Sequence, residues 1–280
     1  MISIIIPAHN EAKLIGETID NILMDNHLSD CEIIVVCNGC TDDTAQVANN
    51  YWLNNGLVKS NQNISFHLLN TPIPSKTNAL NLGIQHAKYS PIVLLDADIL
   101  IDGLDIIKLV EHLYKSKLLA VSPRVKFDSK QSSLMVKAYY KVASCSNYNQ
   151  FHRLSNVIAL SKEGVKRVGL FPELIADDEY LRRQFTVSEY STVEYLHFTF
   201  ICPKNLSNLL NVLTRVERGN LQLRLLDIVD RTGAKLKGFS PYPLIFKPLF
   251  LVCKVYAKIK AKYQYKRGNI VQWERDESNR

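Results

Sequence analysis

Over the first 125 residues, short apolar runs alternate with amphipathic stretches, and this alternation limits what the chain can fold into more than any other feature does. The runs occupy residues 2–6, 31–37, 64–69, 91–96 and 118–122. Each has the length and the Ile, Val and Leu content of a strand buried on both faces. Residues 12–24, 42–53, 76–86 and 104–116 place apolar side chains three and four apart, the period of a helix with one buried face. Thr41 or Asp42 stands where the second of these helices needs an N-cap. Strand and helix in succession with short links predict an α/β fold: a mostly parallel sheet flanked by helices, with ligands at the carboxyl ends of the strands.

Beyond residue 125 the rhythm changes. The sequence predicts a polar-aromatic helix over 132–149, a strand at 157–160, a helix opened by the acidic run 177–181 and a strand through 191–200. Leu-rich helical residues follow from 203 to 229, and the sequence names no partner for them. Residues 1–202 are therefore read as one large domain, and 203–280 as a helical, basic extension packed on it. Six cysteines in 280 residues are too sparse for a disulfide framework, and the N-terminus carries no basic region before its first apolar run. Both features predict a reducing, cytoplasmic setting.

The net charge of +7 is local rather than spread. Residues 247–267 hold seven basic side chains (Lys247, Lys254, Lys258, Lys260, Lys262, Lys266, Arg267) and no acidic one. Lys254, Lys258 and Lys262 recur every four residues, while Leu249, Phe250, Cys253, Tyr256 and Ala257 can share another face. Lys247 and Lys254 interrupt the apolar stretch before it reaches the roughly 18 residues of a spanning helix. A basic amphipathic helix of this kind predicts contact with an anionic membrane surface, peripheral on the inner face of the cell membrane, and no nucleic-acid partner.

The chemistry concentrates at predicted strand ends. Asp96-Ala97-Asp98 follows the apolar run ending at Leu95, and side chains two apart on extended chain share a face. Two such carboxylates suit a hard divalent cation shared with a diphosphate. Pro7-Ala8-His9-Asn10-Glu11 follows the first strand, and Asn38-Gly39-Cys40-Thr41-Asp42-Asp43 the second. Lys76 with Asn78-Ala79-Leu80-Asn81 opens the third helix, and Asp177-Asp178-Glu179 lies downstream. Taken singly, Asn10 and Glu11 read as caps of the first helix, Asn38-Gly39 as a turn and Lys76 as a solvated helix residue.

Taken in order, these five motifs resemble glycosyltransferase family 2, the inverting enzymes of the GT-A fold, in bacterial members that build surface polysaccharide. The resemblance covers roughly residues 1–185. It implies a nucleotide-sugar donor bound by Pro7, Ala8, His9, Asn10, Glu11, Asn38, Lys76, Asp96, Ala97 and Asp98. It implies a divalent cation, Mg²⁺ or Mn²⁺, on Asp98 and Asp96, and Asp178 as the catalytic base, with a glycan or lipid-linked acceptor. Glu179 is read only as an acid suited to a helix N-terminus. The tail Trp273-Glu274-Arg275-Asp276 is similar to an ending of some bacterial members, where an Arg beside a Trp could close over the diphosphate.

The chain departs from the family where Cys37-Asn38-Gly39-Cys40 replaces the frequent Asp-Asp-Gly-Ser. An Asn both accepts and donates, so it fixes a nucleobase less firmly than Asp. The C-x-x-C has no second ligand pair for zinc and suits packing better. Two alternatives keep the fold: a catalytically degenerate nucleotide- or glycan-binding protein, and a nucleotidyltransferase, which would want a Gly-rich basic loop where Pro7-Ala8-His9-Asn10 stands. No G-x-G-x-x-G follows a predicted strand, which disfavours a dehydrogenase.

Overall fold

The computed structural model describes residues 1–24, 27–59, 63–231 and 238–267, with 55–59 as backbone alone. The motif around Trp273 and Arg275 lies outside the described residues. Strands β1 (Ile2–Ala8), β2 (Cys31–Asn38), β3 (Ile64–Thr71), β4 (Ile92–Leu95), β5 (Ala120–Asp128), β6 (Val157–Leu160) and β7 (Tyr190–Ile201) form one sheet, ordered β3-β2-β1-β4-β6-β5-β7. The first four are mutually parallel, and β7 is parallel to β5. Strand β6 runs antiparallel between β4 and β5. The sheet is thus mostly parallel, as the alternation predicts.

Nine helices are described: α1 (Ile15–Leu23), α2 (Thr44–Lys59), α3 (Lys76–His86), α4 (Gly103–Ser116), α5 (Leu134–Ala143), α6 (Lys162–Val168), α7 (Asp177–Arg183), α8 (Leu206–Leu225) and α9 (Lys247–Lys266). The period-2 geometry of a strand sends alternate residues to opposite faces, so one apolar run feeds two cores. Ile4, Ile6, Ile33, Val35, Val93 and Leu95 pack toward α1, α2 and α4. Ile5, Ile34, Val36, Ile92 and Leu94 pack toward α3, α6 and α7.

A third, smaller cluster joins Val136, Tyr139 and Tyr140 of α5, Leu209 and Leu213 of α8, and Cys253 and Ala257 of α9. It supplies the partner that the sequence left unnamed for α8. The expected helix over 132–149 is shorter than its pattern: α5 ends at Ala143, and Tyr148–His152 forms a separate five-residue π turn. Helix α1 begins at Ile15 rather than 12, because Asn10 adopts a left-handed backbone (φ 52°) and the Glu11 carbonyl is taken up in a turn by the N–H groups of Leu14 and Ile15.

Helix α9 needs a correction of its faces. Cys253 and Ala257 do turn inward, with Leu249 and Phe250 packed beside them. Tyr256, expected with them, is exposed, and Lys254, expected on the basic outer face, turns toward Glu217 of α8 at 4.0 Å. Burial holds its amine below the ordinary lysine value. Among the described residues, no helix is long and apolar enough to cross a membrane.

Candidate active site

The loops after β1 and β2 are braced to one another before either meets a ligand. Thr41 N–H donates to Asn10 Oδ1 at 2.6 Å, Glu11 N–H to Thr44 Oγ1 at 2.7 Å and Ala12 N–H to Asp42 Oδ2 at 3.2 Å. Asn10 therefore caps the neighbouring loop, not helix α1. Asp42 also accepts from Thr44 N–H at 3.1 Å, so the capping expected of Thr41 or Asp42 falls to Asp42 at a helix that starts with Thr44. Gly39 between the loops has φ 58°, and a Cβ there would stand 2.7 Å from the Pro74 side chain, so only glycine fits without movement.

Within this rim, Asn38 is the last residue of β2 and fully buried. Its Nδ2 donates to Ala8 O at 2.9 Å, while its Oδ1 accepts no hydrogen bond among the described residues. His9 Nδ1 meets the Asn38 carbonyl at 2.5 Å. Cys40 Sγ donates to Ala8 O at 3.4 Å from a half-buried position, while Cys37 is buried in the core. Pro7 and Ala8 belong to β1 itself and are buried, and Ala97 packs into the core with its carbonyl taken by Thr18 Oγ1 at 2.8 Å. The side chains of Ala8 and Ala97 thus face the core, and these residues meet the rim through backbone.

The charged centre lies at the carboxyl end of β4. Lys76, at the first position of α3, reaches Asp96 Oδ1 at 2.8 Å and Asp177 Oδ2 at 2.9 Å. A cation in the first turn opposes the helix dipole, so the two carboxylates are what hold it there. Its side chain is only 16% exposed, which replaces the solvated lysine of the sequence reading. Burial alone would lower its pKa, but the charges of Asp177, Asp96 and Asp178 outweigh that and hold it well above the ordinary value. Lys76, Asp96, Asp177, Asp178 and Asn156 line one cleft, floored by Leu94, Leu95 and Phe171.

Asp178 sits at the start of α7, beside this cluster, and its carboxyl is pushed up to about 8. Burial is the main cause; Asp177 and Asp96 add to it, while Lys76 and Arg153 oppose it. Glu179 is more than a helix-end acid: it binds Arg182 at 2.6 Å and Arg183 at 3.0 Å, pinning α7 internally.

Asp96 and Asp98 do not share a face on extended chain. The strand ends at Leu95, and Ile99 N–H donates back to the Asp96 carbonyl at 3.2 Å, so the chain turns between them. Asp96 points to Lys76 and to Asn156, whose Nδ2 donates to it at 3.0 Å, while Asp98 is exposed. Among the described residues, no three His, Cys, Asp or Glu side chains form a metal cage. Exposed Asp98 presents the kind of hard oxygen donor that a Mg²⁺-like ion takes together with substrate phosphates, whereas both oxygens of Asp96 are engaged by Lys76 and Asn156.

Asn156 and Arg153 escaped the sequence reading. Asn156 precedes β6, and because that strand is antiparallel its start lies beside the end of β4, where Val157 pairs with Leu95. Its left-handed backbone (φ 64°) and the Asp96 N–H bond to its carbonyl at 2.8 Å fix it there. Arg153 donates to Asn156 Oδ1 at 3.2 Å and to Asn149 Oδ1 at 3.1 Å. The only sequence signal was an Asn ahead of an apolar run, a residue tolerant of that conformation.

Known proteins share this arrangement of chain. The chain is 26% identical over 273 residues to a poly-beta-1,6-N-acetyl-D-glucosamine synthase of Staphylococcus epidermidis, an alignment covering 92% of this chain and 63% of that protein's length. Its fold matches a mannosyltransferase of Pyrobaculum calidifontis solved with GDP-Man and Mn²⁺ (TM-score 0.62, 21% identity, 98% of this chain and 76% of that one). It also matches a glucosyl-3-phosphoglycerate synthase of Mycobacterium tuberculosis solved with Mg²⁺ and UDP (TM-score 0.54, 18% identity, 84% and 81%). The sequence profile of glycosyl transferase family 2 matches residues 3–160, more than half of the chain and every element of the rim and of the β4 centre except α7; the chain belongs to that family.

Proposed function

We propose that the chain is an inverting, metal-dependent glycosyltransferase. It moves a sugar from a nucleoside diphosphate sugar to a hydroxyl of a glycan or lipid-linked acceptor in surface-polysaccharide synthesis. The observation that carries this reading is the convergence of Lys76, Asp96, Asp177 and Asp178 on one cleft at the strand ends. The relatives support the substrate class: the two solved proteins hold a nucleotide or nucleotide sugar with a divalent cation, and the staphylococcal relative is named for a glycan polymer.

Inversion needs one displacement. The acceptor oxygen bonds to the anomeric carbon as the bond from that carbon to the diphosphate oxygen breaks, and the electron pair leaves with the diphosphate. The hydroxyl proton passes to a carboxylate, and Asp178, held at about 8, has the affinity to take and release a proton near neutrality. Asp98 and Asp96 would hold the divalent cation, which when bound neutralises charge on the departing diphosphate. Lys76 positions Asp96 and Asp177 and keeps their charge balanced beside Asp178. Asn38 Oδ1, which accepts no hydrogen bond among the described residues, is buried and would meet a ring N–H of the donor's nucleobase only after the rim moves.

A thermal-shift screen against UDP, GDP, CDP and dTDP, with and without Mn²⁺, tests this. One nucleotide at one hundred times its dissociation constant should stabilise the chain by about 2.7 kcal/mol. The stabilisation should need the metal and vanish in Asp98→Ala. If no nucleotide stabilises folded protein, the transferase reading fails and a glycan-binding protein of the same fold replaces it.

A further inference from the structure

The outward face of α9 is apolar where a water-facing helix would be polar. Leu251, Val252, Val255, Tyr256, Ile259 and Tyr263 are all exposed, Val252 and Ile259 at 65%. Their spacings of one, three and four residues put them on one continuous stripe along the helix. Past the first turn, where Leu249 and Phe250 pack inward, the buried side is made by the small residues Cys253, Ala257 and Ala261, and the large apolar groups turn outward. The short turn Leu244–Phe246 just before it extends the same character, with Leu244 71% and Ile245 80% exposed.

The charges around this stripe say what covers it. Exposed Lys258 and Lys262 flank it on one side, Lys260 lies on the other with its ammonium donating to Asn211 Oδ1 of α8 at 3.1 Å, and Lys266 and Arg267 close its C-terminal end. No acidic side chain occurs from 247 to 267. The Arg267 guanidinium stands 4.4 Å from the Tyr263 ring centroid, and the Lys260 ammonium 5.8 Å from that of Tyr256. Tyrosines with a cation over the ring are amphipathic groups of the kind enriched where lipid headgroups meet acyl chains. An apolar stripe with lysines on both borders matches a surface that is apolar below and anionic above.

We propose that α9 lies in the plane of an anionic bilayer, with Leu251, Val252, Val255 and Ile259 inserted among the acyl chains and the lysines on the headgroup phosphates. The inserted residues are the outward ones, which the sequence pattern alone had not singled out. The helix is coupled to the cleft through α8. Helix α9 packs on α8, and α8 in turn holds the loop ahead of Asp177: Gln222 accepts from Ile175 N–H at 2.9 Å and donates to the Glu173 carbonyl at 3.2 Å. Gly219 of α8 lies so close to Ala176 that a Cβ there would come within 2.6 Å of the Ala176 Cβ. A docked α9 therefore fixes the acidic end of the cleft at a set distance from the lipid surface.

Vesicle sedimentation tests the surface without any turnover, so it stands or fails separately from the transferase reading. The wild-type chain should sediment with vesicles of equimolar phosphatidylglycerol and phosphatidylcholine at low salt, less so at high salt, and not with phosphatidylcholine alone. Val252→Ser/Val255→Ser/Ile259→Ser and Lys258→Glu/Lys262→Glu should each weaken partition at least about tenfold. All five positions are exposed, and unchanged circular dichroism and melting temperature would show both variants folded. Wild-type protein left in the supernatant at low salt would overturn the proposal, as would a triple-serine variant that sediments like the wild type. So would a solution dimer that the serine substitutions dissolve without any change in vesicle binding, since a second copy would then own the stripe.

Discussion

The sheet and the α5–α8–α9 layer handle apolar and charged groups in opposite ways. In the sheet, Ile4, Ile5, Ile33 and Ile34 are wholly buried, and the charges of Lys76, Asp96, Asp177 and Asp178 gather at the strand ends. In the helical layer, Glu217 and Arg218 are buried while Leu251, Val252, Val255 and Ile259 are left outside. The first pattern is that of a protein solvated by water, with its polar groups placed for chemistry. The second is that of a surface whose neighbour is not water alone. The comparison separates the region proposed to react from the region proposed to rest on a membrane.

If the sheet region is the reacting one, the largest effect in the molecule belongs to Asp178. Asp178→Asn keeps size and removes the base, so sugar transfer should fall about 10²- to 10⁴-fold. Donor-dependent thermal stabilisation should survive, because the substitution leaves Asp96 and Asp98 in place. Equal loss of binding and transfer would instead make Asp178 part of the donor site. Next comes Lys76→Met, which leaves Asp96 and Asp177 facing each other without a cation. A broken pair of this burial costs about 3 to 5 kcal/mol, and adding Asp177→Asn should return part of it, measured by urea unfolding. No recovery in the double variant would mean that Lys76 acts by packing alone.

A smaller effect follows from protons. The Asp178 carboxyl sits at about 8 in the folded chain, against about 3.9 for an unperturbed Asp. Its bound proton favours the folded state fully below the unfolded value, and that contribution is lost as pH rises through about 8. Lys76, held well above its ordinary value, stays charged across the window and adds no slope. The melting temperature of the ligand-free protein should therefore decline from about pH 5 to about pH 9, and Asp178→Asn should flatten the decline. The rate should run the other way, rising as Asp178 loses its proton. A wild-type melting curve that matches the Asn variant across this range would remove Asp178 from the buried cluster.

The two regions also differ in how far the sequence could be read. Continuous apolar runs made the strands visible: β6 matches its expected bounds, and β1 and β2 run one or two residues past theirs, while α3 matches the helical spacing read over 76–86. The cleft was visible only as separate motifs. That Lys76 is paired depends on Asp177, about a hundred residues away, and no local pattern carries that distance. The Asp96–Asp98 geometry was misread because the strand ends at Leu95 and a turn closed by Ile99 N–H on the Asp96 carbonyl takes up the residues between. Asn156 was invisible because its role rests on an antiparallel strand bringing its backbone beside Asp96. In α9 the sequence reading put Tyr256 with Cys253 and Ala257 on one apolar face and did not name Leu251, Val252, Val255 or Ile259; the packing of Cys253 and Ala257 decides which side is inside.

That decision is the weakest in energy and the easiest to test, because positions 257 and 259 are two residues apart on one helix and face opposite ways. Ala257 is fully buried against α5 and α8, so Ala257→Leu must push extra methylenes into a filled space, at about 1 to 3 kcal/mol. Ile259 is mostly exposed, so Ile259→Ser removes no core contact and should change urea stability by no more than about 0.5 kcal/mol. The sequence pattern alone treats both as apolar residues of one amphipathic helix, whereas their burial predicts opposite consequences. If Ile259→Ser destabilises as much as Ala257→Leu, the outer stripe is covered within the folded chain and the contrast between the two regions disappears. If it leaves stability untouched while weakening sedimentation with anionic vesicles, the apolar stripe exists for a partner and not for the fold.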